Sequence, residues 1–235
     1  MKFGIRREIN IPGFEESLSG IAGVSIELAL PYKIEDYLAG QSLLPAVAAA
    51  ARDLGVVVQS VHAPQGRLTD PDFHTWALAT ARFAEVIGAK VIVFHPEESR
   101  QDMRVDRQLL AMRNIRQLQR ETNVTIAIET FGSKKRILRP EELGMEELPI
   151  CLDTSHLFVD RIMQLIEKYS KYISCIHLSE ARDNQQHMPV ESYGFDILDR
   201  LQKTGWYGIV TLEYLPEYHD RLLPDLYKLQ KQYGG

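Results

Sequence analysis

Short apolar runs rich in valine and isoleucine recur eight times along this chain, and they constrain its fold more than any other feature. In chain order they are KFGI, GVSIELAL, GVVVQSVH, KVIVFH, VTIAIE, PICLD, ISCIHL and GIVTLEY. Each run has the length of a β-strand, and amphipathic helical patterns lie between several of them. Such alternation is typical of an α/β fold built on a parallel sheet.

The clearest helical pattern runs from Asp70 to Gly88. Asp70 is expected to cap this helix, Pro71 suits its first turn and Gly88 suits its end. Its apolar and small residues recur at helical spacing, namely Phe73, Trp76, Ala77, Thr80, Phe83, Ala84 and Ile87. Similar amphipathic stretches cover residues 105–112, 158–169 and 222–229.

Eight strand and helix units in 235 residues fit a compact (β/α)8 barrel, the TIM barrel, better than a doubly wound open sheet, which is the alternative. No linker, low-complexity tract or charge block interrupts the alternation. We therefore expect residues 1–235 to form a single domain.

Strand parity supplies a second test, because alternate residues of a barrel strand point into the barrel. If the polar residues at the strand ends point inward, the residues two positions earlier do so as well. The inward pairs are then Ser60 and His62, Val93 and His95, Ala127 and Glu129, Cys151 and Asp153, Cys175 and His177, and Thr211 and Glu213. In five of these strands the outward residue is a large aliphatic, which is consistent with a barrel surrounded by helices: Val61, Ile128, Leu152, Ile176 and Leu212.

Composition and the absence of certain motifs weigh against several classes of function. No stretch approaches the roughly 18 to 20 apolar residues of a membrane span, and the N-terminal residues lack a signal-peptide core, so we expect a cytoplasmic protein with no membrane partner. The net charge of −5 provides no overall attraction to nucleic acid. Cys151 and Cys175 lie inside apolar runs and are expected to be reduced and buried. Nucleotide-binding glycine motifs and a GxSxG nucleophile motif are absent.

Six ionisable residues fall at the carboxyl ends of predicted strands, namely His62, His95, Glu129, Asp153, His177 and Glu213. Barrels of this kind carry their active sites on that face. Carboxylates and imidazoles crowded into one apolar mouth are costly to leave unpaired, and a divalent cation offsets that cost. The pattern predicts a metal site.

Further candidates follow the strands. In CLDTSH, His156 comes one turn after Asp153 and can face the same cavity; alternatively Thr154 or Ser155 caps a helix and His156 is incidental. The predicted loop ARDNQQHMPVESYG contains His187, with Arg182 and Asp183 nearby. We assign His74 and His219 to surface helices and exclude them. Glu27 points inward by parity, where it contacts substrate or pairs with Arg6 or Arg7.

At this point the residues resemble a known family, the xylose isomerase-like barrels, which include sugar isomerases, epimerases, dehydratases and endonuclease IV. The resemblance covers nearly the whole chain and rests on seven pieces in order: SVHAP, VIVFHP, IAIET, CLDTSH, CIHLSE, HMPVESYGFDIL and TLEY. It implies that one cation is held by Glu129, Asp153, His177 and Glu213, as in the sugar-acting members. Endonuclease IV has additional zinc ligands, which match His62, His95, His156 and His187.

The resemblance to endonuclease IV has two departures. An aspartate that lies two residues before the last of those histidines in endonuclease IV is Gln185 here, and VFHPEES lacks the glycine that follows HP. The loops are also short for a protein that must grip DNA. We therefore favour a small-molecule enzyme over an AP endonuclease acting on abasic DNA.

The favoured hypothesis is a divalent-metal-dependent isomerase or epimerase acting on a sugar, sugar phosphate or related polyol. Glu129 and Glu213 would move a proton on carbon, His156 would orient a substrate oxygen, and Glu27, Arg182 and His187 would contact substrate. The ligand types suit Zn or Mn, with Mg or Co as alternatives. A third interpretation is a barrel that binds a polyol or a metal without turnover. The sequence leaves the oligomeric state open.

Overall fold

The computed structural model describes residues 1–9, 13–18, 21, 23–100 and 103–234, apart from the side chains of residues 15 and 17. Its strands are β1 (Lys2–Glu8), β2 (Ser25–Ala29), β3 (Val57–His62), β4 (Val91–Phe94), β5 (Thr125–Glu129), β6 (Ile150–Asp153), β7 (Ile173–Leu178), β8 (Glu180–Arg182), β9 (Gln185–Met188) and β10 (Ile209–Leu212). The eight apolar runs of the sequence supply all strands except β8 and β9.

The α-helices of the described residues are α1 (Phe14–Leu18), α2 (Ile34–Gly40), α3 (Leu44–Asp53), α4 (Phe73–Ile87), α5 (Arg104–Glu121), α6 (Pro140–Met145), α7 (Val159–Tyr169), α8 (Tyr193–Lys203) and α9 (Leu222–Tyr233). Short 3-10 helices cover Gln41–Leu43, Ser170–Tyr172 and Pro216–Arg221. Among the described residues, no helix is both long enough and apolar enough to cross a membrane.

Eight strands close into a barrel in the order β1-β10-β7-β6-β5-β4-β3-β2, which confirms the predicted (β/α)8 TIM barrel. The pairs of barrel strands Lys2–Glu8 with Ile209–Leu212 and the other pairs of known register in the barrel are parallel, as the alternation of strands and helices predicts. Strands β8 and β9 form a separate two-stranded sheet. Because all barrel strands run in one direction, their carboxyl ends share one face.

Two compact units divide the chain. The N-terminal unit comprises Arg7–Ile128 and Ser133–Leu138, and it contains β2, β3, β4 and most of β5. In this unit Ala29 of β2 lies opposite His62 of β3, and His62 lies opposite Val93 of β4. The aromatic rings of Phe73, Trp76 and Phe94 pack together in its core, with centroids 5.2 to 5.8 Å apart.

The C-terminal unit comprises Met1–Arg6, Glu129–Gly132 and Arg139–Gly235. Here Asp153 of β6 lies opposite His177 of β7, and His177 lies opposite Thr211 of β10. Two positions earlier, Cys151 lies opposite Cys175, and both cysteines are outside any disulfide and fully buried, as predicted. The outward aliphatic residues of these strands, Leu152, Ile176 and Leu212, are also fully buried.

Two local predictions are wrong. Helix α4 begins at Phe73 and not at Asp70, because residues 70–72 form a turn in which the Phe73 amide donates to the Asp70 carbonyl over 3.1 Å. Residues 181–194 were predicted to be a loop, but they contain the β8 and β9 hairpin. Asp183 and Asn184 make its turn with φ of 53° and 65°, a conformation that aspartate and asparagine tolerate better than other residues.

Candidate metal centre

His177 lies among three carboxylates in the C-terminal unit. Its Nδ1 lies 2.8 Å from Oε1 of Glu129, 2.9 Å from Oε2 of Glu213 and 3.8 Å from Oδ2 of Asp153. Carboxylate oxygens accept hydrogen bonds, so this ring nitrogen carries the proton that Glu129 and Glu213 share. The ligand atoms of these four residues all lie within 4.8 Å of one another.

The ends of four strands bring these residues together. Glu129 ends β5, Asp153 ends β6, His177 is the penultimate residue of β7, and Glu213 directly follows β10. Each residue shares the parity predicted for it, because Asp153 and His177 lie opposite each other and the carboxylates of Glu129 and Glu213 reach the same imidazole. The fold therefore creates the cluster from strand register alone.

Asp153 also organises the chain that follows β6. Its Oδ1 accepts the backbone amide of Ser155 over 2.7 Å, the Ser155 hydroxyl over 2.8 Å and the His156 amide over 3.1 Å. Neither Thr154 nor Ser155 caps α7, which begins only at Val159 and has no side-chain cap. The capping interpretation of CLDTSH is therefore wrong, and Asp153 fixes the position of His156.

Burial raises the pKa of Asp153, with the neighbouring Glu129 and Glu213 acting in the same direction and His156 and His187 opposing them. The side chain is completely buried. An ionised carboxylate at this depth is costly without a cation. This residue therefore benefits electrostatically from a bound divalent ion.

The pKa of Glu213 is shifted in the opposite direction from that of Asp153, and Arg6 contributes to this shift. Burial acts to raise its pKa, but the positive charges of Arg6 and His177, together with the His177 hydrogen bond, outweigh burial and hold the pKa of Glu213 well below its usual value. Nη1 of Arg6 donates to Oε1 of Glu213. The two side chains are only 16% and 14% exposed, so this ion pair is largely shielded from water.

A second cluster of donors shares Asp153. It consists of Asp153, His156 and His187, whose ligand atoms lie within 4.8 Å of one another. Nδ1 of His156 donates to the Thr130 carbonyl over 3.2 Å, which leaves Nε2 of that ring with its lone pair. The ring of Phe131 stacks on His156 with centroids 4.2 Å apart, so the imidazole is held from two directions.

The remaining predicted residues have other surroundings. In the N-terminal unit, the rings of His62 and His95 lie edge to face with centroids 4.7 Å apart, and Glu27 is fully buried and accepts the Ser60 hydroxyl over 2.9 Å. In the C-terminal unit, Arg182 binds Glu191 and the Pro189 carbonyl. His74 is half-buried on α4, and His219 is exposed on the 3-10 helix Pro216–Arg221.

The donor chemistry of the first cluster fits a divalent cation. Three carboxylates and one imidazole converge within 4.8 Å, and Arg6 provides a positive charge beside Glu213. Such mixed oxygen and nitrogen sets suit Zn, Mn, Co or Mg. The second cluster, with two imidazoles and one carboxylate, suits Zn better than Mg.

Sequence reasoning missed several residues that shape the site. Thr130 accepts His156 through its carbonyl, and its hydroxyl accepts the Asp153 amide over 2.9 Å. Arg6 was considered as a partner of Glu27, and its pairing with Glu213 was not predicted. Thr130 and Phe131 directly follow Glu129 in the sequence IAIETF. Their position at the end of a predicted strand was the only sequence signal that could have identified them.

Comparison with known proteins identifies the family and supports the fold. The family model described as xylose isomerase-like TIM barrel matches residues 19–229. The 3-keto-D-glucoside 4-epimerase YcjR from E. coli has a similar structure, with a TM-score of 0.72 and 14% identity over 98% of this chain and 99% of that one. The search of curated proteins gave no match.

Two further solved structures are similar. Endonuclease IV from Thermus thermophilus has a TM-score of 0.61 and 15% identity, over 99% of this chain and 100% of that one. The IOLI protein, solved with a bound zinc atom, has a TM-score of 0.64 and 16% identity, over 100% of this chain and 96% of that one. At these identities the structural likeness establishes the fold alone. The family match spans most of the sequence, and the chain therefore belongs to the xylose isomerase-like TIM barrel family.

Proposed function

We propose that this protein is a divalent-metal-dependent isomerase or epimerase acting on a sugar, sugar phosphate or related polyol. The observation that carries the proposal is the cluster of Glu129, Asp153, His177 and Glu213, in which two glutamates contact one imidazole. When bound, a divalent cation would supply Lewis acidity toward adjacent carbonyl and hydroxyl oxygens of a sugar.

The two glutamates are the proposed acid and base. One carboxylate would take a proton from the carbon beside the carbonyl and the other would return a proton to carbon, as isomerisation and epimerisation both require. Arg6 and His177 hold the pKa of Glu213 well below its usual value, against the effect of burial, so Glu213 is ionised in the resting site. Glu213 can therefore accept a proton without first releasing one of its own.

His156 is the proposed group that orients a substrate oxygen. Its Nδ1 is committed to the Thr130 carbonyl, and Phe131 stacks on its ring. This leaves Nε2 as the atom that can contact a ligand. His187 and Arg182 are proposed to contact substrate from the hairpin, and Glu27 from β2.

Metal content and isotope exchange test the proposal together. We expect about one divalent ion or more per chain by elemental analysis after mild dialysis, and loss of activity after chelation. A panel of ketoses and 3-keto-glucosides is then incubated in D2O, where turnover should place deuterium on the carbon beside the carbonyl. The Glu213→Gln variant should lose several orders of magnitude in turnover.

Two outcomes would contradict the proposal. One is a protein that neither binds Mn, Co or Zn nor gains thermal stability from them, since a ligand that binds only the native state must stabilise it. The other is turnover without any deuterium exchange, which would favour a hydride shift over glutamate-mediated proton transfer.

The second cluster favours an alternative function, a zinc-dependent phosphodiesterase that cuts abasic DNA. Asp153, His156 and His187 provide donors beyond those that a one-metal isomerase needs. Gln185 weighs against it, because this residue brings no charge and its amide donates to Glu217 over 3.0 Å. Clean incision of a duplex on the 5′ side of an abasic site would reverse the ranking.

A further inference from the structure

Glu180 is a buried carboxylate that belongs to neither donor cluster. It begins β8, and its side chain is completely shielded from solvent. Its Oε1 accepts the backbone amides of Glu191, Ser192 and Gly194 over 3.1, 2.8 and 2.9 Å, and its Oε2 accepts the Ser192 hydroxyl over 3.0 Å. Four hydrogen bonds to one anion offset the cost of removing it from water.

These bonds join the two ends of one chain segment. Residues 180–194, which we call the 180–194 loop, leave the barrel after β7 and return at the start of α8. A carboxylate at the N-terminus of a helix is further stabilised by the helix dipole. The phenol of Tyr193 accepts the amide of Ala181 beside this junction, so hydrogen bonds close the base of the loop between residues 180–181 and residues 191–194.

The 180–194 loop carries His187 in a strained conformation. The φ of His187 is 58°, which a residue with a side chain adopts only when its surroundings enforce it. Its carbonyl accepts the Leu215 amide over 2.9 Å, and its Nδ1 lies 3.4 Å from the hydroxyls of both Ser155 and Ser179. The position of this imidazole therefore depends on how firmly the loop is held.

We propose that Glu180 is a positioning residue, which closes the 180–194 loop and thereby holds His187 beside Asp153, His156 and Glu213. The inference rests on the proposed function in so far as His187 is a ligand or substrate contact. Glu180 itself is a member of neither donor cluster. Its effect is exerted through the backbone of residues 191–194, where its hydrogen bonds end.

The test compares Glu180→Ala and Glu180→Gln with the wild type, first without metal. Hydrogen exchange should accelerate by roughly 100-fold in residues 181–192 of Glu180→Ala, the effect of losing about two hydrogen bonds to a charged acceptor. Exchange in α7, outside the loop, should change far less. The side-chain 15N signals of His187, assigned by their loss in His187→Ala, should shift toward those of a solvated histidine.

Glu180→Gln provides the rescue. Its amide oxygen can still accept the three backbone amides, and its nitrogen can donate to the Ser192 hydroxyl, so we expect it to restore slow exchange over most of the loop. Titration with zinc should give a His187 response in the wild type and in Glu180→Gln. In Glu180→Ala the zinc concentration needed for that response should rise by about tenfold or more, the scale of a lost supporting interaction.

Glu142→Ala is the matched control. Glu142 is another buried glutamate of the C-terminal unit, and it accepts the backbone amide of Arg139 over 2.8 Å at the start of α6. The Glu142→Ala variant should be less stable than the wild type, but its hydrogen exchange should not accelerate locally in residues 181–192. A folded Glu180→Ala with wild-type exchange and wild-type His187 signals would overturn the proposal, as would acceleration spread evenly over the chain.

These readouts separate this inference from the proposed function. Exchange and the His187 signals are measured without substrate, so absence of sugar turnover in the wild type would count only against the isomerase proposal. Likewise, wild-type His187 signals that do not change on addition of zinc would count against the second donor cluster. Loosening of the loop in Glu180→Ala would support the positioning role in both cases.

Discussion

At the scale of single residues, one imidazole nitrogen contacts two carboxylates of the candidate metal centre. Nδ1 of His177 contacts Glu129 at 2.8 Å and Glu213 at 2.9 Å inside the protein. Removing one partner of a buried charge pair leaves the other uncompensated. We expect His177→Ala to lower the free energy of unfolding in EDTA by about 3–5 kcal/mol and to weaken metal binding by roughly 100-fold or more.

Chemical denaturation and metal titration measure the two effects, and His74→Ala is the control. His74 pairs with Glu121 over 3.0 Å but is 37% exposed, and exposed pairs contribute about 0–1 kcal/mol. A His177→Ala protein as stable as the control variant would contradict the charge balance described for the centre.

Arg6 gives the site a specific dependence on pH. The pKa of Glu213 is lowered in the folded state, so this residue adds stability above its unfolded pKa near 4.5, and that stability is lost as the pH falls toward the lower folded pKa. Asp153 has a raised pKa and acts with the opposite sign, but it is present in both proteins compared. We expect Arg6→Gln to cost about 3 kcal/mol above pH 5, measured in EDTA.

The stability difference between Arg6→Gln and the wild type should narrow as the pH falls from about 4.5 toward the lower folded pKa of Glu213, where this residue becomes protonated in both proteins. Unfolding curves at several pH values provide the measurement. A difference that is constant over this range would mean that Arg6 contributes packing and not charge.

At the scale of elements, the segments that follow β5 and β6 approach each other closely at a glycine. A Cβ on Gly132 would lie 2.8 Å from the backbone carbonyl oxygen of His156, which cannot rotate away as a side chain can. We expect Gly132→Ala to shift His156, to cost about 1–3 kcal/mol and to weaken zinc binding at the second cluster. Crystallography and zinc titration would measure the shift and its effect.

Gly88 offers the matched comparison for Gly132. It ends α4 with a φ of 86°, and a Cβ there would meet no atom within 4 Å. Gly88→Ala should therefore cost about 1–2 kcal/mol of backbone strain and leave zinc binding unchanged. Equal zinc affinities in the two variants would refute the contact argument.

The elements also show which parts of the site a sequence can reveal. Glu129, Asp153, His177 and Glu213 were predictable because parallel strands end on one face and parity fixes which side chains point inward. The role of Glu180 was not, because its hydrogen bonds reach backbone amides 11 to 14 positions away. The hairpin was also missed, since its turn is Asp-Asn and lacks the glycine of the commonest hairpin signals.

At the scale of the whole molecule, we propose that residues 1–235 unfold as one domain. The chain passes from one unit to the other at four places, and two of these lie within strands, after Arg6 in β1 and after Ile128 in β5. A unit that ends inside a strand cannot separate without breaking that strand. Calorimetry should therefore give one transition with an enthalpy of about 160 kcal/mol near 60 °C, equal to its van't Hoff value. Two resolved transitions would contradict this.

The pair of facing thiols on β6 and β7 has a practical consequence. Cys151 and Cys175 are the only cysteines in the sequence, and both are completely buried two positions before Asp153 and His177. A thiol reagent can label either sulfur only after these strands have opened. The rate of labelling thus reports how often the strands beneath the candidate metal centre open, and a change in that rate on adding a cation would indicate that the cation binds there, without any knowledge of the substrate.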